Sequence, residues 1–255
     1  MLSFQSFGDS AAPPLLIAHG LYGSGRNWGV IAKRLSDTYR VITVDMRNHG
    51  ASPHLPAHGY PELAHDLAEV IEAIGGTADV IGHSMGGKAA MALALTRPDL
   101  VRTLIVGDIS PVTYTHTQQP MIDAMRAVDL SQVTRRSDAD AALRAQGLEP
   151  GVASFLTQSL DVDGKAWRLN LGVLSDQMDA IIGFPDFQAQ FDGPTLFLSG
   201  GQSDYVQTGH RDAIRALFPR ARFAKLPRAG HWLHADDPRG FEASVRAWLD
   251  MQSAP

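Results

Sequence analysis

The stretch Ala78-Asp-Val-Ile-Gly-His-Ser-Met-Gly-Gly-Lys-Ala-Ala-Met-Ala-Leu-Ala-Leu95 decides the fold. It begins with a short apolar run of strand length, and from Lys88 onward it is built of strong helix formers. Between the two, Gly82-His-Ser-Met-Gly86 matches Gly-x-Ser-x-Gly, a strained strand-to-helix turn that lifts a serine hydroxyl above a sheet. So short a pattern also arises by chance in a glycine- and serine-rich chain, so the strand before it and the helix after it carry the reading.

Working outward, similar apolar runs recur at Leu15–Ala18, Val41–Val44, Leu104–Val106 and Thr195–Leu198. Their continuity, without polar alternation, predicts strands buried on both faces. Helical patterns lie between them. The clearest is Tyr60, Leu63, Ala64, Leu67, Val70, Ile71 and Ile74, which trace one helix face, with Pro61 in the first turn and Gly75-Gly76 at the end. Strand and helix in alternation predict an α/β protein with a mostly parallel, doubly wound sheet. The alternation breaks once, over the 87 residues that separate Gly107 from Pro194. That span exceeds any crossover helix and holds helical rather than strand patterns, such as Leu169, Val173, Leu174, Met178, Ile181 and Ile182. It predicts a helical cap over 111–190, inserted late in a core formed by 1–110 and 191–255. After the cap come a strand at 195–198, a helix near 208–218, a strand near 221–226 and a last helix near 238–250.

In such sheets function gathers in the loops at the carboxyl ends of the strands. Two nucleotide readings of those loops fail. Gly23-Ser-Gly25 with Asp45 suggests a dinucleotide fingerprint, but position 28 is Trp where the third glycine belongs. Gly82 followed by Gly87-Lys88 nearly spells a phosphate-binding loop, but position 89 is Ala where a magnesium-binding Ser or Thr is needed, so Lys88 reads as a solvated charge on a helix flank.

A serine hydroxyl needs a base to act as a nucleophile, and the base needs a carboxylate to orient it. Of ten histidines, His231 in Ala229-Gly-His-Trp232 follows the last strand and precedes the last helix. Ser84, an acid and His231 then fall in the chain order of an α/β-hydrolase. His54, His58 and His65 read as surface residues, and the His54/His58 spacing is not helical, so no metal is expected there. His83 and His49 read as structural supports, and His19 as a residue that positions the loop before Leu21. The amides of Leu21 and Met85 are the candidate oxyanion donors. Two aspartates compete as the acid: Asp108 after one strand and Asp204 after another.

The 255 residues include 22 Lys and Arg against 27 Asp and Glu, a net charge of −5, and no cysteine. One domain of this length buries roughly 70–75% of its unfolded surface. Without cysteine there is no disulfide framework, thiolate metal site or thiol nucleophile. The absence of a basic run predicts no nucleic-acid or anionic-lipid partner. The N-terminus carries no basic cluster ahead of an apolar run, and no stretch approaches the ~20 apolar residues of a membrane-spanning helix. The expectation is a cytoplasmic protein, and no sequence feature speaks to its oligomeric state.

Asp45-Met-Arg-Asn-His-Gly-Ala-Ser52, Gly82-His-Ser-Met-Gly-Gly-Lys88, Asp108-Ile-Ser-Pro-Val112, and Trp167-Arg-Leu-Asn170 through Asp176-Gln177 to Ile182-Gly183 together resemble the YbfF-like acyl esterases of the α/β-hydrolase superfamily. The resemblance covers the whole chain. It implies hydrolysis of short- to medium-chain acyl esters, or thioesters, by Ser84 and His231 without any cofactor. Asp108 matches the narrower family's Asp-Ile-Ser/Ala-Pro segment and is favoured as the acid, while Asp204 stands at the superfamily's commoner position. Phe155, Trp167, Leu174 and Met178 of the cap are candidates to line an acyl pocket, with packing as the competing role. The competing function is a ligand receptor or binding module that keeps the fold but turns over little or nothing.

Overall fold

The computed structural model describes residues 1–253. The core sheet is formed by β1 (Phe4–Phe7), β2 (Pro14–Ala18), β3 (Arg40–Val44), β4 (Ala78–His83), β5 (Val101–Gly107), β8 (Thr195–Gly200) and β9 (Ala221–Leu226), while β6 (Leu160–Asp161) and β7 (Ala166–Trp167) form a separate hairpin. The core order is β1-β3-β2-β4-β5-β8-β9. Only β1 runs antiparallel, pairing Phe4 with Val44 and Phe7 with Val41; every other pair is parallel.

Successive side chains of each strand enter opposite cores, as the pleat requires. Leu16, Ala18, Ile42, Val44, Val80 and Leu104 pack on one face against α2 (Tyr60–Ile74), α3 (Met85–Thr96) and α9 (Arg211–Leu217). Leu15, Ile17, Val41, Ile81 and Ile105 pack on the other, against α1 (Gly29–Leu35), α10 (Leu233–Asp236) and α11 (Pro238–Ser253). Helices on both faces leave the strands no polar side, which is why their sequences do not alternate.

Between β5 and β8 the chain leaves the sheet through α4 (Gln119–Ala127), α5 (Arg136–Ala145), α6 (Pro150–Thr157), α7 (Leu171–Asp176) and α8 (Met178–Ile182). These helices bury an apolar cluster of their own, including Ile122, Met125, Leu143, Leu156, Leu174 and Met178. Two details differ from the helical pattern of the sequence. The β6–β7 hairpin interrupts the helices, its turn using Lys165 at φ +50°. The stripe from Leu169 to Ile182 divides into α7 and α8 at Gln177. An isolated β-bridge, His49 to Leu169, also pairs the segment with the core, Gly50 N–H donating to Arg168 O (2.8 Å) and Asn170 N–H to Asn48 O (2.9 Å).

Candidate active site

The turn between β4 and α3 holds Ser84 at φ +53°, ψ −121°, a conformation an L-residue adopts only under strain. The flanking glycines have a steric reason. A Cβ on Gly82 would stand 2.3 Å from Gly86 O, and one on Gly86 would stand 2.4 Å from Ala18 O, so β2, β4 and α3 could not close on one another. Their closeness presents the Ser84 hydroxyl above the sheet.

His231 occupies the loop between β9 and α10, with its Nε2 3.0 Å from Ser84 Oγ and its Nδ1 2.8 Å from Asp108 Oδ2. Two further contacts hold the ring and its backbone. The His83 Nε2–H donates to His231 O at 2.7 Å, and Tyr205 stacks on the imidazole with ring centres 4.0 Å apart and planes 19° from parallel. Asp108, fully buried, also accepts from Gly200 N–H at 2.9 Å and from the Ser203 hydroxyl. Asp204 is exposed, and no hydrogen bond joins it to His231 among the described residues. The loop after β8 thus reaches the site through Ser203 rather than through the carboxylate beside it.

The loops beneath are organised by neutral histidines. His19 donates through Nδ1 to Gly20 O (2.8 Å) and accepts the Met46 amide on Nε2 (2.9 Å), while His49 donates to Arg47 O (2.8 Å) and accepts the Tyr22 amide (3.1 Å). Each ring must offer one bare nitrogen to a backbone N–H, a role an imidazolium cannot fill. Burial accordingly lowers His19 to about 4 and His49 to about 3, and pushes His83 well below its ordinary value.

The structure corrects two assignments made from the sequence. His58, read as a surface residue, is buried between Asn48 Nδ2 (3.2 Å) and Met85 Sδ (3.3 Å), and burial lowers it to about 2. Lys88, read as a solvated flank, is 1% exposed and donates to Val112 O (2.8 Å), Ile182 O (2.8 Å) and Gly183 O (2.6 Å). The signal was present in the sequence: Ala89 to Leu95 is apolar all round, so the helix is enclosed and leaves its first charge no water to reach.

A cavity of about 260 Å³ opens over Ser84. Leu21, Met85, Tyr60, Ile182, Phe155 and Trp232 are among its walls. Of the four predicted pocket residues only Phe155 lines it. Leu174 and Met178 face the interior of the 111–190 helices, where helical spacing directs apolar side chains, and Trp167 packs against that cluster with its indole N–H on Met125 O (2.9 Å). Among the described residues no cluster of three or more His, Asp or Glu is arranged to hold a metal, and no helix is long and apolar enough to cross a membrane.

A serine, histidine and aspartate in line at the strand ends of a parallel sheet define an α/β-hydrolase, and the comparisons agree. Residues 13–238 match the family model of the alpha/beta hydrolase fold, and the chain belongs to that family. The mouse (Mus musculus) sn-1-specific diacylglycerol lipase ABHD11 is 43% identical over 253 residues, covering 95% of this chain and 82% of its own. Escherichia coli esterase YbfF is 42% identical over 239 residues, 93% of each chain. A solved marine microorganism esterase matches with a TM-score of 0.91 at 34% identity, over 97% of this chain and 98% of that one. Like these relatives, the chain is a carboxylic ester hydrolase of the YbfF-like group.

Proposed function

We propose that this ester hydrolase works by acyl transfer through Ser84. His231 Nε2 takes the hydroxyl proton as the oxygen attacks the ester carbonyl, then returns it to the leaving alcohol; a water molecule, activated the same way, releases the acid. Asp108 holds Nδ1–H, fixing the tautomer that leaves Nε2 free to accept. The amides of Leu21 and Met85, both on the cavity wall, receive the charge that develops on the carbonyl oxygen. The observation that carries this reading is the unbroken line from Ser84 Oγ to His231 at 3.0 Å and from His231 to Asp108 at 2.8 Å.

Segment 111–190 acts as a cap that sets substrate size, and the substrates are short- to medium-chain acyl esters, thioesters included. The mostly apolar cavity walls support this, as does the naming of the mouse relative for a lipid ester. The reading is tested with p-nitrophenyl acyl esters and a fluorophosphonate. Ser84→Ala abolishes hydrolysis, and in the wild type the label maps to Ser84 alone. Label on another residue, or near wild-type turnover in Ser84→Ala, refutes the mechanism; a folded wild type that binds these esters without turnover makes the chain a receptor.

A further inference from the structure

The chemistry proposed for Ser84 leaves Lys88 without a task, although it sits one turn further along the same helix, its amide donating to Ser84 O at 3.0 Å. Its ammonium is buried with no carboxylate partner among the described residues. Burying a charge is costly, and an apolar side chain of similar length would fill the space without that cost. Against that cost stand only the hydrogen bonds it gives to backbone carbonyls, so what it holds in place decides why a lysine is here.

What the ammonium holds is specific. Burial lowers Lys88 to about 7, and in its ammonium form the three protons go to three carbonyls from two distant parts of the chain: Val112, where the chain leaves β5 for the insertion, and Ile182 and Gly183, where it comes back from α8. The same corner is tied by Tyr114 N–H to Ile182 O (3.0 Å) and by Tyr60 O–H to Ile181 O (2.6 Å). The faces of Tyr114 and Tyr60 lie 4.8 and 5.7 Å from Nζ. Both phenols are kept neutral by burial, so only carbonyl dipoles and ring faces meet the cation. With the protons of the ammonium committed to these carbonyls, Lys88 has none left to bind an anionic group of a substrate. The backbone it grips carries Ile181, Ile182 and Tyr114, all on the cavity wall.

We propose that Lys88 is a positioning residue, a clasp that holds both chain crossings of the 111–190 segment against the helix of Ser84 and so sets the acyl length the cavity accepts. The proposal rests on the reading that Ser84 is the nucleophile and the cavity receives the acyl chain. Without the three bonds, the Val112 and Ile182–Gly183 crossings separate from α3 and the wall made by Ile181 and Ile182 shifts relative to Ser84. A displacement of about one methylene in an apolar pocket is worth on the order of tenfold in selectivity.

The experiment compares Lys88→Met and Lys88→Gln with wild type, measuring melting temperature and the ratio of kcat/KM for p-nitrophenyl octanoate to that for the acetate. Lys88→Met, which leaves the three carbonyls without this donor, is expected to melt lower but to fold, and to lower the ratio about tenfold, mainly through KM of the octanoate; Lys88→Gln, which keeps two donors, falls between. A change of the ratio by less than about threefold in a folded, fluorophosphonate-reactive Lys88→Met overturns the clasp, since a merely structural lysine would move the melting temperature and leave the ratio alone. If neither variant folds, the lysine is a folding element and the proposal is likewise overturned. Failure of the Ser84 mechanism is read separately, from Ser84→Ala and the site of labelling.

Discussion

Mild acid should unfold this protein, and the buried histidines set the pH at which it does so. His19, His49, His58 and His83 are each at most 3% exposed. Three of them present a bare nitrogen to a donor: His19 to the Met46 amide, His49 to the Tyr22 amide and His58 to the Asn48 side-chain amide. Burial holds His19 at about 4, His49 at about 3 and His58 at about 2, with His83 also well below its ordinary value. In the unfolded chain each titrates near 6.5. Above that pH both states are neutral at these positions and stability is unaffected. As the pH falls below it, the unfolded chain takes up protons that the folded one refuses, and stability drops until the folded values are reached.

At pH 5.5 each such histidine costs about 1.4 kcal/mol, so four cost about 6 kcal/mol. That compares with a whole-domain stability of roughly 5–15 kcal/mol. Carboxylates, with ordinary values near 4, add little in this window. The measurement is urea unfolding at pH 8, 6.5 and 5.5, followed by the fluorescence of Trp28 and Trp248, both buried. The expected result is a sharp loss between pH 6.5 and 5.5, reduced by about a quarter in His49→Gln, whose amide oxygen can still accept the Tyr22 N–H. A loss below about 1 kcal/mol over that interval, no more than one histidine accounts for, would refute the reasoning.

Asp108→Asn should lower kcat by roughly 10⁴, the cost of a wrong imidazole tautomer in the serine-protease template, and exposed Asp204→Asn should cost little; a severe defect confined to Asp204→Asn reverses the assignment. Gly86→Ala puts a Cβ 2.4 Å from Ala18 O and should destabilise by about 1–3 kcal/mol or more, whereas Gly29→Ala, which meets nothing within 4 Å, should leave the melting temperature unchanged or raised. Esterase activity should survive EDTA; a large loss restored by zinc or magnesium would require a metal in the mechanism.

The parts of the molecule legible in the sequence are those whose cause is local. Runs such as Leu15–Ala18 and Val41–Val44 are apolar on both faces because helices cover both faces, and no other arrangement explains them as well. The Gly82 and Gly86 pair is likewise a local requirement of one turn. By contrast β1 is half exposed and only Phe4 and Phe7 are apolar, so its pairing depends on β3 arriving from far along the chain. The hairpin of β6 and β7 has two residues per strand, too few for any period to register. His58 and Lys88 were misread for a related reason: a polar residue is buried by whatever partners the fold brings to it, here Asn48 and Met85 in one case and the distant Val112, Ile182 and Gly183 in the other. Leu174, Met178 and Trp167 show the complementary error. Periodicity identifies an inward face but does not say whether it faces a cavity or a neighbouring helix, and on the 111–190 segment those three face its own core.

The two aspartates differ in what the fold spends on them. Asp108 sits at φ +49° beside Ser84 at φ +53°, two non-glycine residues in the left-handed region at the ends of neighbouring strands, joined by the Ser84 N–H to Gly107 O bond (3.0 Å). Each such conformation costs on the order of 1 kcal/mol and persists only where the surroundings enforce it. Glycine at either position would relieve the strain and delete the functional group. The strain aims both groups at one imidazole, Ser84 Oγ toward Nε2 and Asp108 Oδ2 toward Nδ1. The end of β8 and the loop after it, where the superfamily more often supplies the acid, contribute Gly200 N–H and the Ser203 hydroxyl to the Asp108 carboxylate. Both are donors, so that loop supports a carboxylate delivered from β5, and Asp204, one residue beyond Ser203, stays in solvent.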